Sequence, residues 1–384
     1  HLVLARLPDA PAGSRGISLF LVPKFLLDDQ GNPAQRNDVH CVSVEHKLGI
    51  HASPTCVLAF GDNEGAIGYL VGEPNRGLMA MFTMMNDARQ SVGLQGLSVS
   101  TRSYQQALQY AKERLQGTRS DGSRFPIIEY PDVRRMLMLM KAGTEAMRGL
   151  AYIASAEIDQ ARLATDKIAA SRHSGRVDLY TPIVKGWMTE MSQEITSLGI
   201  QIHGGMGYVE ETGSAQHYRD ARITTIYEGT TGIQGQDLVG RKILSNDGEL
   251  LEGLLNDIRE TADQLLASEQ LAGLGKSLSA AVDSGRTVRQ WLLDNAGRDR
   301  NVAGGASVNL LMMLGFICGG WVMGRSALKA SQLLAEGGGD EAFLRAKLVT
   351  ARFYSDHLLP RADSCLTSIL AGSDSMMALS EDQF

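Results

Sequence analysis

The chain holds 384 residues, 43% hydrophobic and 21% charged, enough for two or three domains around a sizeable core. Its net charge of −6 argues against non-specific nucleic-acid binding, and residues 245–384 alone carry 12 Lys and Arg against 18 Asp and Glu, so the C-terminal part is no basic arm. Cys41, Cys56, Cys318 and Cys365 are scattered without a CxxC pair, which excludes a disulfide framework or a zinc site and fits the reduced thiols of a cytoplasmic protein.

The chain opens on "HLVLARLP", a strand-like run that begins at His1 rather than Met, so it reads as a piece of a longer protein with no signal or transit peptide in view. Up to about residue 75 the pattern is β-rich. "ISLFLVP" (17–23), "HCVSVEH" (40–46) and "TCVLAF" (55–60) are short apolar or alternating runs between turn clusters such as "DDQGNP" and "GDNEG". This predicts the back half of a β-domain. His46 and His51 flank "KLGI" without a third ligand at metal spacing, so no metal site is expected and both belong to a surface turn.

Helical spacing takes over after "GEPNRG". It predicts one helix over 82–117 ending at Gly117, a second opened by Pro131 and running over 132–159, and a third from about Leu179 to His203. Long helices joined by brief turns make an antiparallel bundle. From about 245 further helical segments follow, with "EGGG" (336–339) separating the last two. The apolar run "VNLLMMLGFICGGWVMG" (308–324) falls short of the roughly 20 residues that span a membrane and is glycine-broken, so it is expected as a buried helix and not a membrane span. The fold class predicted is mostly α with a partial β-domain. It comprises a β-barrel-like segment at 1–75, an antiparallel four-helix bundle at 76–244 and an additional α-helical domain at 245–384.

Several stretches could carry chemistry. In "RDARITTIYEGTTGIQG" (219–235) Glu228 is a lone acid among Gly and Thr. It could cap a helix or face solvent; equally, burial beside Tyr227 would raise its pKa toward the working pH, as suits a general base. In "QIHGGMGY" (201–208) the glycines either cap a helix C-terminus or let backbone pass against a nucleotide; the spacing is not GxGxxG. Arg89 in "NDAR" and Arg114 in "YAKERLQG" either sit at helix ends, where Arg114 complements the dipole, or hold a phosphate.

In order and spacing, "EHKLGIHASPTCVLAF", "GEPNRGLMAMFTMMNDAR", "YAKERLQG", "QIHGGMGY" and "RDARITTIYEGTTGIQ" together resemble the acyl-CoA dehydrogenase family over roughly residues 15 to 244. The tail after 245 resembles the larger bacterial subgroup with an extra C-terminal helical domain. The resemblance implies an FAD-dependent acyl-CoA dehydrogenase. Glu228 would take the α-proton of an acyl-CoA thioester while flavin N5 takes the β-hydride, leaving a trans-2-enoyl-CoA. It implies that Gly229 and Thr230 lie against the flavin and its phosphates. Gln201, Gly204 and Gly205 would contact the adenosine of a neighbouring subunit's FAD, and Arg114 and Gln116 its pyrophosphate. Arg89, Asn86 and Tyr227 would meet the substrate, Arg89 near the CoA end. Cofactor contacts from two subunits imply a homodimer or a dimer of dimers, and the implied electron acceptor is electron-transfer flavoprotein. The chain departs from the family at Asn86, where Asp is common, at Gly117, where Phe is common, and at Gly232, where Gln or Asn is common. By family architecture roughly a third or more of a full-length member would precede it. The rival expectations are an acyl-CoA oxidase that uses oxygen, and a non-catalytic oligomeric helical fragment without cofactor.

Overall fold

Packing divides the chain into two units, His1–Ala88 and Arg89–Phe384, each with its own contacts. The structure is a computed structural model and describes residues 1–63 and 65–384; Glu64, within the "GDNEG" turn cluster, lies outside them.

Among the described residues the first unit contains seven short strands: β1 (Leu2–Arg6), β2 (Ile17–Leu21), β3 (Phe25–Leu27), β4 (Pro33–Arg36), β5 (Val39–Val44), β6 (Cys56–Phe60) and β7 (Tyr69–Val71). The three runs expected as strands are β2, β5 and β6. All pairings are antiparallel. β2 lies between β1 and β7, with Leu4 opposite Leu19 and Leu19 opposite Val71, while β3 pairs with β4 and β5 with β6. Among the described residues these make one three-stranded sheet and two ribbons rather than a closed barrel. Asn37, buried, ties the loops together. Its amide donates to the carbonyls of Pro23 (2.9 Å) and Ile67 (2.8 Å), and its Oδ1 accepts from the Ile67 amide (2.9 Å). A buried amide so fully satisfied is a structural staple.

The division between the units falls inside a long helix, α1 (Gly77–Glu113). Helix α1 stops at Glu113, not at Gly117 as the spacing predicts. The residues beyond form β8 (Leu115–Thr118), which pairs with β9 (Arg124–Pro126). Gly117 lies opposite Phe125 in that ribbon, and a Cβ there would sit 1.9 Å from the Phe125 ring. The Phe125 ring thus covers the face of Gly117.

Helix α2 (Pro131–Leu163) follows, opened by proline at its first position, where the missing N–H costs nothing. Helix α3 (Lys167–His203) starts twelve residues before the predicted point, capped by Asp166, whose carboxylate accepts from the Ala169 amide at 2.9 Å. The three-residue connection makes α2 and α3 antiparallel neighbours. Gly143 faces Ile195 at one level, and Glu157 bonds His173 Nδ1 at 2.7 Å nearer the turn. Along α1, glycines allow close approach to α3: Gly93 lies against Val184, and Gly96 against the Met188 backbone.

Short helices α4 (Ser214–Arg222) and α5 (Thr231–Asp237) come next, then a π-helical stretch Leu238–Ile243. The tail is α6 (Glu249–Leu266), α7 (Ala272–Asn295), α8 (Val302–Ala335), α9 (Glu341–His357) and α10 (Arg361–Leu370). Helix α8 is 34 residues long and contains an 18-residue stretch with a mean hydropathy of 1.7, so length does not set it apart from a membrane span, contrary to the argument from the apolar run alone. Its surroundings do: α8 packs against α2, α3, α5, α6, α7, α9 and α10, and most of its apolar stretch is buried among them. Leu311 meets Gly186, Gly315 and Gly319 meet the Trp187 ring, and Val322 meets Gly149. Ion pairs also join tail and bundle, among them the following. Arg361 grips Glu194 bidentately at 2.6 and 2.8 Å, and Lys347 reaches Glu145 at 2.6 Å.

Candidate active site

The sequence-derived residues of the second unit fall into two groups. The first lines a cavity of about 750 Å³ between the end of α1, the β8–β9 ribbon, the start of α2 and the end of α3. Arg114, Gln116, Gln201, Gly204 and Gly205 all line it, with Tyr110, Tyr130 and His203. Helix α3 ends there at Gly204, whose φ of 58° is glycine's territory. No atom lies within 4 Å of where a Cβ would stand on Gly204 or Gly205, so bare backbone faces open space. The wall behind is ordered: His203 Nδ1 bonds the Gly199 carbonyl at 2.6 Å, and its ring packs on Tyr110 with centroids 4.5 Å apart. A cavity of this size with a guanidinium, two amides and exposed backbone suits a nucleotide-sized polar ligand.

The second group surrounds the turn Ile226–Thr230, where the chain leaves α4 and enters α5. Glu228 is half-buried and takes φ 56°, a left-handed conformation costly for an L side chain, and Gly229 follows at φ 91°. Both carbonyls are held from one side. Gln234 Nε2 donates to Glu228 O (3.2 Å) and Gly229 O (3.3 Å), and Lys185 Nζ donates to Gly229 O at 2.5 Å. Thr230 caps α5 by accepting from the Ile233 amide at 3.3 Å, and Thr231 Oγ1 donates to Glu190 Oε1 at 2.5 Å. Tyr227 Oη donates to Gln95 Oε1 on α1; burial, chiefly, raises its pKa.

Arg89 is 4% exposed and pairs through Nη1 with Asp237 Oδ2 at 3.2 Å, while Arg241 Nε takes the other oxygen of Asp237 at 2.9 Å. Its guanidinium is thus tied into the base of the turn group rather than waiting in solvent. Asn86 stands on α1 within the first unit. Glu228, Gly229 and Thr230 are not among the cavity's lining residues, so the structure keeps the two groups separate. Among the described residues no three His, Cys, Asp or Glu side chains gather in a metal-binding arrangement.

Sequence reasoning missed Lys185, Glu190, Gln234 and Gln95. Lys185 is fully buried, and burial, the largest influence, lowers its pKa to about 8; Glu190 and Glu228 oppose the shift and Arg89 adds to it. The available signal was a lone cation in "YTPIVKGWM", otherwise the apolar face of a helix.

The family described as acyl-CoA dehydrogenase, C-terminal domain, matches residues 75–244, and that described as acetyl-CoA dehydrogenase C-terminal like matches residues 254–380. The chain is 46% identical to 3-methylmercaptopropionyl-CoA dehydrogenase of Ruegeria pomeroyi over 99% of its own length and 64% of that protein's. It is 35% identical to a broad-specificity linear acyl-CoA dehydrogenase of Mycobacterium tuberculosis, over 100% of its length and 66% of that protein's. The chain therefore spans about two thirds of the length of these relatives. In fold it resembles an acyl-CoA dehydrogenase of Bacillus anthracis solved with FAD, with a TM-score of 0.74 at 21% identity, covering all of this chain and 62% of that one. ACDH-11 of Caenorhabditis elegans gives a TM-score of 0.73 at 23% identity, covering 92% of this chain and 56% of that one. On these matches, the chain belongs to the acyl-CoA dehydrogenase family.

Proposed function

We propose that this chain carries the catalytic base of an FAD-dependent acyl-CoA dehydrogenase. The observation that carries the reading is Glu228: a carboxylate in a strained left-handed turn, held there by hydrogen bonds to the turn's own carbonyls. Strain maintained by surrounding structure is a mark of functional positions. In this reading Glu228 accepts the α-proton of the acyl thioester, and the half-buried setting keeps its carboxylate from being fully solvated. When bound, FAD supplies the acceptor for the β-hydride. Gly229 and Thr230 lie on the flavin side. Arg114, Gln116, Gln201, Gly204 and Gly205 hold the adenosine and pyrophosphate portion; their shared cavity and the open backbone of both glycines fit such a group. Tyr227, Arg89 and Asn86 serve the substrate side, with Arg89 anchored through Asp237.

The segments 1–75, 76–244 and 245–384 correspond in this reading to the rest of a β-domain, the dehydrogenase helical bundle and an added helical domain. The family matches at 75–244 and 254–380 support that division. The substrate is an acyl-CoA, the assembly a cytoplasmic homodimer or dimer of dimers, and the acceptor an electron-transfer flavoprotein. A relative at 30% identity is itself a subunit of a caffeyl-CoA reductase-Etf complex, which supports the last point.

The test is an anaerobic absorbance experiment on the full-length protein. It should retain a flavin band after desalting, and the band should bleach on adding an acyl-CoA. Glu228→Gln should retain the band and bleach about 10²- to 10⁴-fold more slowly, the usual worth of a positioned base. Undiminished bleaching in the variant would overturn the assignment. Rapid oxygen uptake without another acceptor would turn the reading toward an oxidase.

A further inference from the structure

Lys185 lies in the middle of α3 with no solvent exposure, next to Ile183, Val184, Trp187 and Met188. Placing an ammonium there is costly unless it is well used. Among the described residues its one hydrogen bond goes to a backbone carbonyl, that of Gly229, immediately after Glu228. Five residues further along the same helix, Glu190 accepts from Thr231 Oγ1. One helix thus reaches the turn at two points, residues 229 and 231. Gln234 adds hydrogen bonds to the carbonyls of 228 and 229.

We propose that Lys185, acting with Glu190, is a positioning residue that clamps the Glu228–Gly229 turn in its left-handed form; the proposal rests on the reading of Glu228 as the base. At φ 56° the Glu228 side chain leaves the backbone in a direction that neither helical nor extended φ reproduces. Left free, the turn relaxes toward those cheaper conformations and takes the carboxylate with it. The hydrogen bonds of the clamp fall on the Gly229 carbonyl and the Thr231 hydroxyl, on the turn and not on the Glu228 carboxylate. A displacement of about 1 Å at such a group is enough to cost roughly 100-fold in rate.

Lys185→Met keeps the aliphatic stem and removes the ammonium. In the full-length, FAD-loaded protein, amide hydrogen exchange over residues 226–233, measured without substrate, should speed up about tenfold or more. Bound flavin should be retained, and kcat should fall roughly 10- to 100-fold with KM within about threefold, the pattern of a contact needed only at the transition state. Unchanged exchange over the turn overturns the clamp, and so does an unchanged kcat in a variant whose turn has loosened. Should Lys185→Met fail to fold, the pair Thr231→Val and Thr231→Ser decides. Val should lose protection and kcat together, Ser should recover most of both, and equal behaviour of the two sinks the proposal. If the wild-type protein turns over no acyl-CoA, the base reading has failed, and the clamp is still judged by exchange alone.

Discussion

At the scale of single residues, the strain at Glu228 has a consequence for stability. An L side chain in the left-handed region costs about 1–2 kcal/mol, part of which glycine returns through its greater chain entropy. Glu228→Gly is therefore expected to abolish turnover and raise stability by up to about 1 kcal/mol. That would appear as a higher urea midpoint with an unchanged slope in the flavin-free protein. A lowered midpoint would mean that the carboxylate itself supports the turn. Glu228 is legible in sequence because a lone acid among glycines and threonines stands out. The residues that hold it are not. Lys185 reads as one polar interruption of an apolar helix face, and its partner lies 44 residues away, beyond the reach of any local pattern. Asn37 is hidden for the same reason, its Ile67 partner being 30 residues distant. Buried polar staples depend on which loops meet, and a one-dimensional pattern carries no record of that.

At the scale of elements, helix α8 is built on glycines whose neighbours differ. A Cβ on Gly315 would stand 2.0 Å from the Trp187 ring, itself fully buried and unable to yield. Gly304, exposed on the same helix, has nothing within 4 Å. Gly315→Ala should cost about 1–3 kcal/mol by overpacking, whereas Gly304→Ala should gain about 0.5–1 kcal/mol from helix propensity. Thermal midpoints moving in opposite directions would bear this out; a harmless Gly315→Ala would mean that α3 and α8 are not in this contact. The same contrast explains which element boundaries could be read. The long helices are visible in the sequence wherever one face is buried. Helix α3 is predicted late because its first turns, "KIAASRHSG", are largely exposed and lack apolar periodicity; full burial begins at Arg176. The end of α1 is predicted too far on because Gly117 resembles a helix stop, while its real neighbour, Phe125, becomes visible only once β8 and β9 pair.

At the scale of the molecule, the question is whether residues 245–384 fold separately from the bundle they follow. Helix α8 fills the space beside α2, α3 and α5, so the tail and the bundle share one apolar core, and Arg89–Phe384 forms a single compact unit. A shared core predicts shared cooperativity. Trp187, on α3 of the bundle with its ring against α8, reports on the bundle and its contact with the tail, and Trp291 on α7 reports on the tail away from that contact. Single-tryptophan variants should then unfold in urea with coincident transitions, and separated midpoints would show an autonomous tail. The ion pairs between the two parts add a pH dimension. Glu145 on α2 is largely buried, which by itself raises its pKa. Hydrogen bonds and charge from Lys141 and Lys347 outweigh this and leave it below the ordinary carboxylate value of 4.5. A carboxylate with a depressed pKa contributes stability that is fully present above its unfolded value and lost as the pH falls through its folded one. The common midpoint should therefore hold from neutrality to about pH 4.5 and decline below it, with both probes falling together. Glu145→Gln should lower the midpoint at neutral pH and flatten the acid decline. If the decline persists undiminished in that variant, the acid sensitivity lies elsewhere, and the Lys347–Glu145 contact is not what fastens α9 to the bundle.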